Sequence, residues 1–358
     1  MSNLIINAFA FKENYKTSMQ LAGKMDEKKL ALYMENIFVS LRSAAIHNPE
    51  DTVMLVVNKA VPEPYKSLFE RENIKIKEID FDSYVMPENF VWSLAFFKLC
   101  ALFHVTEEED YENFLLLDAD TITMQGYREM WEECETGVIL YPLGHSYHHH
   151  DRERIRSDYV KLYEEQINIV HYGGEYVCGN RQALRYFLRE CRSVYERMKE
   201  KDFCVDDHTG DETILSIAAA RMQVSRERAA EQGETASREC AAERGGTVSQ
   251  DAAQEDGKEC HTPEVIAAIP YIYRYWTNNF YLVSMNAVYN PVCIWHLPDE
   301  KEHAMEYFYR YYQKKKQFPD RKKSARIAGI RLVKRPFNRY TLQYKLAGKI
   351  QKIFTGKR

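Results

Sequence analysis

The chain has 358 residues, 45% of them hydrophobic, which is enough for one large α/β domain with a sizeable core. Its net charge of −4 is uneven, because residues 321–358 contain thirteen Lys or Arg and no Asp or Glu. The eight cysteines form no Cys-x-x-Cys pair, which argues against a disulfide framework or a zinc site. No signal-peptide pattern is present and no apolar run approaches the roughly 18 residues of a membrane span, so we expect a cytoplasmic protein.

The first 120 residues alternate between strand and helix patterns. Strands are predicted at 4–9, 52–57, 74–79 and 114–117, and helices at 26–45, 64–71 and 90–104, with Asp26 as a candidate N-cap. Such alternation is typical of a mostly parallel sheet covered by helices, so we expect an α/β fold.

The later elements are less regular. Strands are predicted at 138–141, 267–273 and 291–295, helices at 181–199, 212–222 and 300–315, and a polar loop at 145–158. Residues 224–264 contain no aromatic residue and cannot bury enough apolar surface to offset their ordering entropy. We therefore expect a single domain over 1–320 with a disordered or loosely helical insertion at 224–264, followed by a basic tail over 321–358.

The strongest chemical signal is Phe-Leu-Leu-Leu-Asp-Ala-Asp-Thr at 114–121. It places Asp118 and Asp120 at the carboxyl end of a predicted buried strand, where open α/β sheets bind their ligands. Hard divalent cations take oxygen ligands and commonly bridge protein carboxylates to substrate phosphates. The motif therefore predicts a Mn²⁺ or Mg²⁺ site for a phosphorylated ligand. The alternative is that these residues only cap a turn or the next helix.

Together with its companions, this motif resembles the GT-A glycosyltransferases, particularly the family of glycogenin and the bacterial lipopolysaccharide galactosyltransferases (glycosyltransferase family 8). The resemblance spans residues 3–315 and rests on the Asp-x-Asp motif, Phe97-Lys98-Leu99, Gly173-Gly174-Glu175-Tyr176, Gly210-Asp211-Glu212 and Trp295-His296-Leu297-Pro298 with Lys301. The chain departs from the family in having Gly-Gly-Glu for Asn-Ala-Gly and in lacking the late Gly and Pro-Trp around the Lys. The resemblance implies a GT-A-type, Rossmann-like sheet.

The resemblance also implies roles for individual residues. The expected metal ligands are Asp118, Asp120 and His296. The nucleotide diphosphate is expected to contact Phe9, Lys98, Asp118 and Lys301. The substrate is expected at Gly174 and Glu175, and the catalytic acidic pair is Asp211 and Glu212.

Glycosyl transfer needs a stabilised leaving group, which a metal ion acting as a Lewis acid provides. If the reaction inverts the anomeric centre, a carboxylate must accept the acceptor's proton, and Asp211 is the candidate. If the reaction retains configuration, Asp211 would orient the sugar. Simpler structural roles remain open: helix N-capping for Asp211, core packing for His296 and buried pairing for Glu175.

The expected activity is transfer of a hexose from a nucleotide sugar, foremost a UDP-sugar, to a glycan or glycolipid acceptor, as in bacterial surface polysaccharide or lipopolysaccharide synthesis. One rival is a haloacid-dehalogenase-type phosphotransferase with Asp118 as nucleophile, although that class places its motif near the N-terminus. A second rival is a non-catalytic, transferase-like binding protein.

Two basic or His-rich segments allow further interpretations. One is a His-rich segment with His145, His148, His149, His150 and Asp151. It suggests either a separate metal site or, as we favour, a solvated loop. The tail interleaves apolar residues with its cations, which is typical of binding to an anionic membrane surface. We prefer this to nucleic-acid binding or to a tail without a partner, and it predicts a peripheral position on the inner face of the membrane.

Overall fold

The computed structural model describes residues 2–11, 27–87, 89–203, 205, 210–243, 262–275 and 292–329, and for 231–243 the backbone alone. The strands within these residues are β1 Asn3–Phe9, β2 Thr52–Val57, β3 Lys75–Glu78, β4 Asn113–Leu117, β5 Thr121–Thr123, β6 Gly137–Pro142, β7 Tyr172–Asn180, β8 Glu264–Ala267, β9 Ile272–Arg274 and β10 Ile294–His296.

The strands form a large and a small sheet. The seven-stranded sheet has the order β3-β2-β1-β4-β7-β6-β8, and within it β7 runs against its neighbours while the other strands are parallel. The three-stranded sheet has the order β5-β10-β9. The prediction of an α/β fold with a mostly parallel sheet flanked by helices is confirmed.

Helices cover both faces of the large sheet. They are α1 Glu27–His47, α2 Tyr65–Arg71, α3 Phe97–Glu108, α4 Arg128–Glu133, α5 His150–Tyr163, α6 Arg181–Glu200, α7 Glu212–Glu243, α8 Glu306–Lys315 and α9 Arg321–Ile327. A 3-10 turn, Ser93–Phe96, leads into α3, and a π-helical turn, Lys301–Met305, leads into α8. None of the described helices is both long enough and apolar enough to cross a membrane.

The apolar run of β4 is explained by burial on both faces of the sheet. Successive side chains point to opposite faces, so Phe114 and Leu116 pack into the core beneath α3, α6 and α7. Leu115 and Leu117 pack into a second core with α1, α2 and α4. A third apolar cluster around Trp295 joins the small sheet to α8 and α9. The carboxyl end of β4 thus lies between these layers.

The prediction of a loop at 145–158 is wrong, because α5 begins at His150. Ile155, Tyr159 and Leu162 recur at helical spacing and are buried. His149 caps this helix, its ring Nδ1 accepting the backbone N–H of Asp151. The run of polar residues concealed an amphipathic helix.

Two further element boundaries were predicted wrongly. The helix predicted at 90–104 begins only at Phe97, after a turn in which Phe90 and Phe96 are buried without continuing the α-helical pattern. The strand predicted at 267–273 is two strands, β8 and β9, in different sheets. A turn at 269–271 separates them.

Several expectations fall partly outside the described residues. Helix α7 continues to Glu243, into the segment expected to be disordered or loosely helical, and residues 244–261 are not among those described. The start of the basic tail forms α9, which buries Ala325 and Ala328 against the third cluster. The remaining tail from 330 onward and the candidate cap Asp26 also lie outside the described residues.

One guanidinium group fixes the junction between α3 and β4. Arg181, the first residue of α6, donates to the carbonyl oxygens of Thr106 and Tyr111, each at 2.7 Å, and to that of Glu109. Carbonyl oxygens at a helix C-terminus lack partners within the helix, and a cation satisfies them. Arg181 therefore holds the end of α3 against the loop that leads into β4.

We expect Arg181→Met to lower the free energy of unfolding by about 2–3 kcal/mol, because several carbonyl oxygens lose a charged donor at once. Chemical denaturation measures this change. Arg185→Met, on the same helix, is the matched control, since its guanidinium pairs at 2.8 Å with half-exposed Glu107 and contributes at most about 1 kcal/mol. Equal losses in the two variants would contradict the role assigned to Arg181.

Candidate functional site

Asp118 and Asp120 lie where the two sheets meet. Asp118 follows β4 directly, and its backbone N–H donates to the carbonyl oxygen of Glu175 in β7 at 3.1 Å. The chain then enters β5, which pairs antiparallel with β10 so that Thr121 lies opposite His296. This pairing brings the late His296 to the carboxyl end of β4.

Asp118, Asp120 and His296 form a group that could hold a metal ion. Each offers one ligand atom, and these atoms lie within 4.8 Å of one another. The imidazole Nε2 lies 3.3 Å from Asp120 Oδ1 and 3.9 Å from Asp118 Oδ2. Asp120 and His296 are buried, whereas the Asp118 side chain is 26% exposed, so the group is accessible from the Asp118 side. Two carboxylates and one imidazole fit a divalent cation such as Mn²⁺.

Two ammonium groups flank this carboxylate pair. Lys98 Nζ lies 2.8 Å from Asp118 Oδ1 and 3.0 Å from Asp211 Oδ2, and it donates to the Gly174 carbonyl at 2.8 Å. Burial alone would lower the pKa of Lys98, but the Asp118 and Asp211 carboxylates raise it above its usual range. On the other side, Lys301 Nζ pairs with Asp120. Both lysines are therefore fixed cations of the site.

Pairing with carboxylates also determines the protonation state of His296. Its Nδ1 lies 3.2 Å from Glu175 Oε1, while its Nε2 faces Asp120. Burial disfavours the imidazolium, but Asp120 and Glu175 outweigh burial and raise the pKa of His296 to about 9. Lys301 and His296 in turn hold the pKa of the buried Asp120 carboxyl well below its usual range. The Asp120 carboxylate is thus ionised and doubly paired.

Arg274, whose side chain is 13% exposed, connects Glu175 and Glu212 next to this group. Arg274 Nε donates to Glu175 Oε1 at 2.6 Å and its Nη2 donates to Glu212 Oε1 at 2.9 Å. Glu212 also faces His171, whose Nε2 lies 3.0 Å from Oε2. Arg274 and His171 outweigh the effect of burial and lower the pKa of Glu212. His171 also forms a hydrogen bond with His145, in which the two Nδ1 atoms are 2.9 Å apart.

The His-rich segment therefore adjoins the site through His171. The ligand atoms of His145, His149 and Asp151 also lie within 4.8 Å of one another. The rings of His145 and His149 stack with centroids 3.6 Å apart. This packing orders part of a segment for which a solvated loop was the favoured interpretation.

Glycines at the start of β7 let the acidic side chains approach the sheet. A Cβ atom on Gly173 would overlap the Glu175 carboxylate and the Arg274 guanidinium. A Cβ atom on Gly174 would overlap the Asp211 carboxylate. The Gly-Gly pair is therefore required by close contact, because any larger residue would displace the charged groups beside it.

Asp211 lies directly before α7 and is 4% exposed. Burial raises its pKa to about 6, against the opposing effect of Lys98, and the Asp118 and Glu212 carboxylates add to the increase. The charge of Asp211 therefore changes close to neutral pH.

The contacts above bring together nine of the ten predicted site residues, namely Lys98, Asp118, Asp120, Gly174, Glu175, Asp211, Glu212, His296 and Lys301. Phe9 is buried at the carboxyl end of β1, where its ring packs against Phe11 and Tyr33 with centroids 4.9 and 5.2 Å away. It belongs to the second apolar core, which also contains Leu117, and no contact among those above joins it to the charged residues.

Sequence reasoning missed Arg274 and His171. The signal for Arg274 was a single cation within the apolar and aromatic segment Ile-Tyr-Arg-Tyr at 272–275. A cation in such a segment needs a charged or polar partner wherever the fold covers it. His171 directly precedes β7 and carried no comparable signal.

The chain matches no known protein-family profile and no curated protein.

We expect Gly174→Ala to lower the free energy of unfolding by about 1–3 kcal/mol, because the added methyl group displaces Asp211 from Lys98. Thermal or chemical unfolding measures the change. Gly210→Ala is the matched control, since its Cβ would meet the Trp92 Cβ at an ordinary 3.5 Å. A tolerated Gly174→Ala would show that the close approach is not required.

The raised pKa of Asp211 predicts a specific pH dependence of stability. A carboxyl group with a pKa of about 6 when folded and 3.8 when unfolded favours folding at low pH, and this contribution is lost as pH rises through 6. Asp211→Asn has no carboxyl group to ionise at this position, so its stability does not fall in this way as pH rises. Its stability relative to the native protein should therefore increase by about 2–2.5 kcal/mol between pH 4 and pH 7, because the unfolded carboxyl group is already partly ionised at pH 4.

Denaturation at several pH values provides the measurement. Asp110→Asn, which changes a fully exposed carboxylate, is the control and should follow the native profile. A pH-independent difference between Asp211→Asn and the native protein would contradict the assignment.

Proposed function

We propose that this protein is a metal-dependent glycosyltransferase of the GT-A type that transfers a hexose from a nucleotide sugar, foremost a UDP-sugar, to a glycan or glycolipid acceptor. The observation that supports this most directly is the convergence of Asp118, Asp120 and His296 between Lys98 and Lys301 at the carboxyl end of β4. A group with two carboxylates, an imidazole and two flanking ammonium groups suits a metal-bound diphosphate.

The two lysines would stabilise charge on the leaving group. When a nucleotide sugar reacts, negative charge develops on the departing diphosphate, and fixed cations in a buried site stabilise it more than water does. A Mn²⁺ ion held by Asp118, Asp120 and His296 would supply Lewis acidity there. Lys301 and Lys98 contribute positive charge from opposite sides of the Asp118–Asp120 pair. Their side chains need not be ordered when the donor binds, because their ion pairs already hold them in place.

Metal binding also suits the balance of charge. Among the described side chains of this cluster, four cationic groups face five carboxylates, namely Lys98, Lys301, Arg274 and His296 against Asp118, Asp120, Glu175, Asp211 and Glu212. A divalent cation that replaces the His296 proton would leave the cluster neutral with every carboxylate ionised. A buried cluster is most stable when its charges balance.

The acidic residues take different roles in this proposal. Glu212 and Glu175 are both paired with Arg274. In this proposal they hold neighbouring side chains in place and do not accept protons. Asp211, with its pKa of about 6, is ionised at neutral pH and faces Lys98. In an inverting reaction it accepts the acceptor's proton, and in a retaining reaction it orients the sugar.

The basic tail supplies the proposed membrane contact. Helix α9 packs on the domain, so the part of the tail that remains for an anionic bilayer starts at about residue 330. This contact would hold the enzyme on the inner face of the membrane, where lipid-linked acceptors are available.

The test is a panel of sugar nucleotides with and without Mn²⁺, measured by donor hydrolysis and by thermal stabilisation. At least one UDP-sugar should give Mn²⁺-dependent hydrolysis, and Asp120→Asn should reduce it by at least about 100-fold because it weakens the metal site. Asp110→Asn, which changes an exposed carboxylate, should behave as the native protein does.

Two results would overturn the proposal. Release of phosphate from simple esters without binding of any sugar nucleotide would favour a phosphotransferase with Asp118 as nucleophile. Donor binding that Asp120→Asn leaves unchanged would remove the metal assignment.

A further inference from the structure

A second group of metal-binding side chains lies on α3, separate from the site above. Cys100, His104 and Glu108 follow one another at intervals of four residues, so they share one face of the helix. Asp82, from the segment between β3 and α3, faces them. The ligand atoms of Asp82, Cys100 and His104 lie within 4.8 Å of one another.

Two of the three side chains, those of His104 and Cys100, approach the same carboxylate oxygen of the third, Asp82. His104 Nε2 lies 3.1 Å from Asp82 Oδ1, and Cys100 Sγ lies 3.6 Å from the same atom. In a tetrahedral zinc site with bonds of about 2.0–2.3 Å, nitrogen and oxygen ligands are about 3.3 Å apart and sulfur and oxygen ligands about 3.5 Å apart. The two separations from Asp82 Oδ1 lie within about 0.2 Å of these values.

The surroundings of His104 are also those of a metal ligand. Its Nδ1 lies 2.7 Å from Glu108 Oε1, so the ring is oriented with Nε2 toward Asp82 and Cys100. Lys77 holds Glu108 in turn, with Nζ 3.0 Å from Oε2. A carboxylate on the second ring nitrogen is the usual partner of a metal-binding histidine, because it fixes the ring and increases its basicity.

Burial leaves one side of the group open. Cys100 is fully buried and the His104 side chain is 20% exposed, whereas that of Asp82 is 56% exposed. A cation bound here would have three protein ligands and solvent in its remaining position. Thiolate and imidazole together favour Zn²⁺ over Mg²⁺ or Ca²⁺.

We propose that Asp82, Cys100 and His104 bind one Zn²⁺ or a related transition-metal ion. Binding replaces the thiol proton of Cys100 and requires a free lone pair on His104 Nε2, so protons are released to solvent. The site does not depend on the proposed glycosyltransferase activity. Bound metal would connect α3 to the segment before it, because Asp82 lies in that segment and Cys100 lies on α3. Cys100 is two residues from Lys98.

The competing explanation is an ion pair of His104 with Asp82 and Glu108, which needs neither the thiol nor a metal ion. Co²⁺ distinguishes the two, since thiolate coordination gives a charge-transfer band in the near ultraviolet that carboxylate and imidazole ligands do not give. The full-length reduced protein is titrated with Co²⁺ and then with Zn²⁺. We expect the band to appear and Zn²⁺ to abolish it.

Variants assign the band to this group. Cys100→Ser and Asp82→Asn should abolish or greatly weaken it, and Asp82 is exposed enough that its variant retains the fold. Cys191→Ser, which changes a buried thiol on α6, is the matched control and should retain the band. Asp120→Asn should also retain it, which separates this site from the one after β4.

Competition with a chromophoric chelator gives the Zn²⁺ affinity. Glu108→Gln should weaken Zn²⁺ binding about 10–100-fold, because it removes the partner of His104 Nδ1. Absence of the band in the native protein would overturn the proposal. So would a band that Cys100→Ser leaves intact or Cys191→Ser removes, or a Zn²⁺ affinity that Asp82→Asn leaves unchanged.

Discussion

Burial of the Asp120 carboxylate is the constraint on which the rest of the site depends. This side chain is 4% exposed, and a buried carboxylate is costly unless cations compensate it. Lys301 and His296 supply that compensation from a segment more than 170 residues later in the chain. The buried His296 ring is in turn paired with the Glu175 carboxylate, and that buried carboxylate is paired with Arg274. Each buried charge thus specifies the next, and the small sheet holds the late partners against the large one.

The same pairing explains how the site remains preorganised. The two lysines are held by carboxylates on opposite sides of the Asp-x-Asp segment, so neither has to be ordered when an anion arrives. Asp211 is buried and faces Lys98, which it shares with Asp118. Burial raises the pKa of Asp211 to about 6 despite the opposing effect of Lys98.

The central strands could be predicted from the sequence, and so could the cluster of charged residues at the carboxyl end of β4. Strands buried on both faces read as continuous apolar runs, and the Asp-x-Asp motif marks the carboxyl end of β4 unambiguously. Two kinds of feature were less visible. The apolar stretch after Phe90 does not distinguish a buried turn from a helix, and the polar His145–Asp158 segment concealed the amphipathic start of α5. Arg274 was missed because its partners come from β7 and α7, which only the tertiary fold brings to it.

We propose that Asp118, Asp120 and His296 jointly bind a divalent cation that a nucleotide diphosphate also contacts. Crystals of the protein grown with Mn²⁺ and UDP, measured near the manganese absorption edge, test this most directly. We expect an anomalous peak among these three side chains, next to the diphosphate. A diphosphate bound elsewhere, or manganese that contacts neither Asp118 nor Asp120, would contradict it.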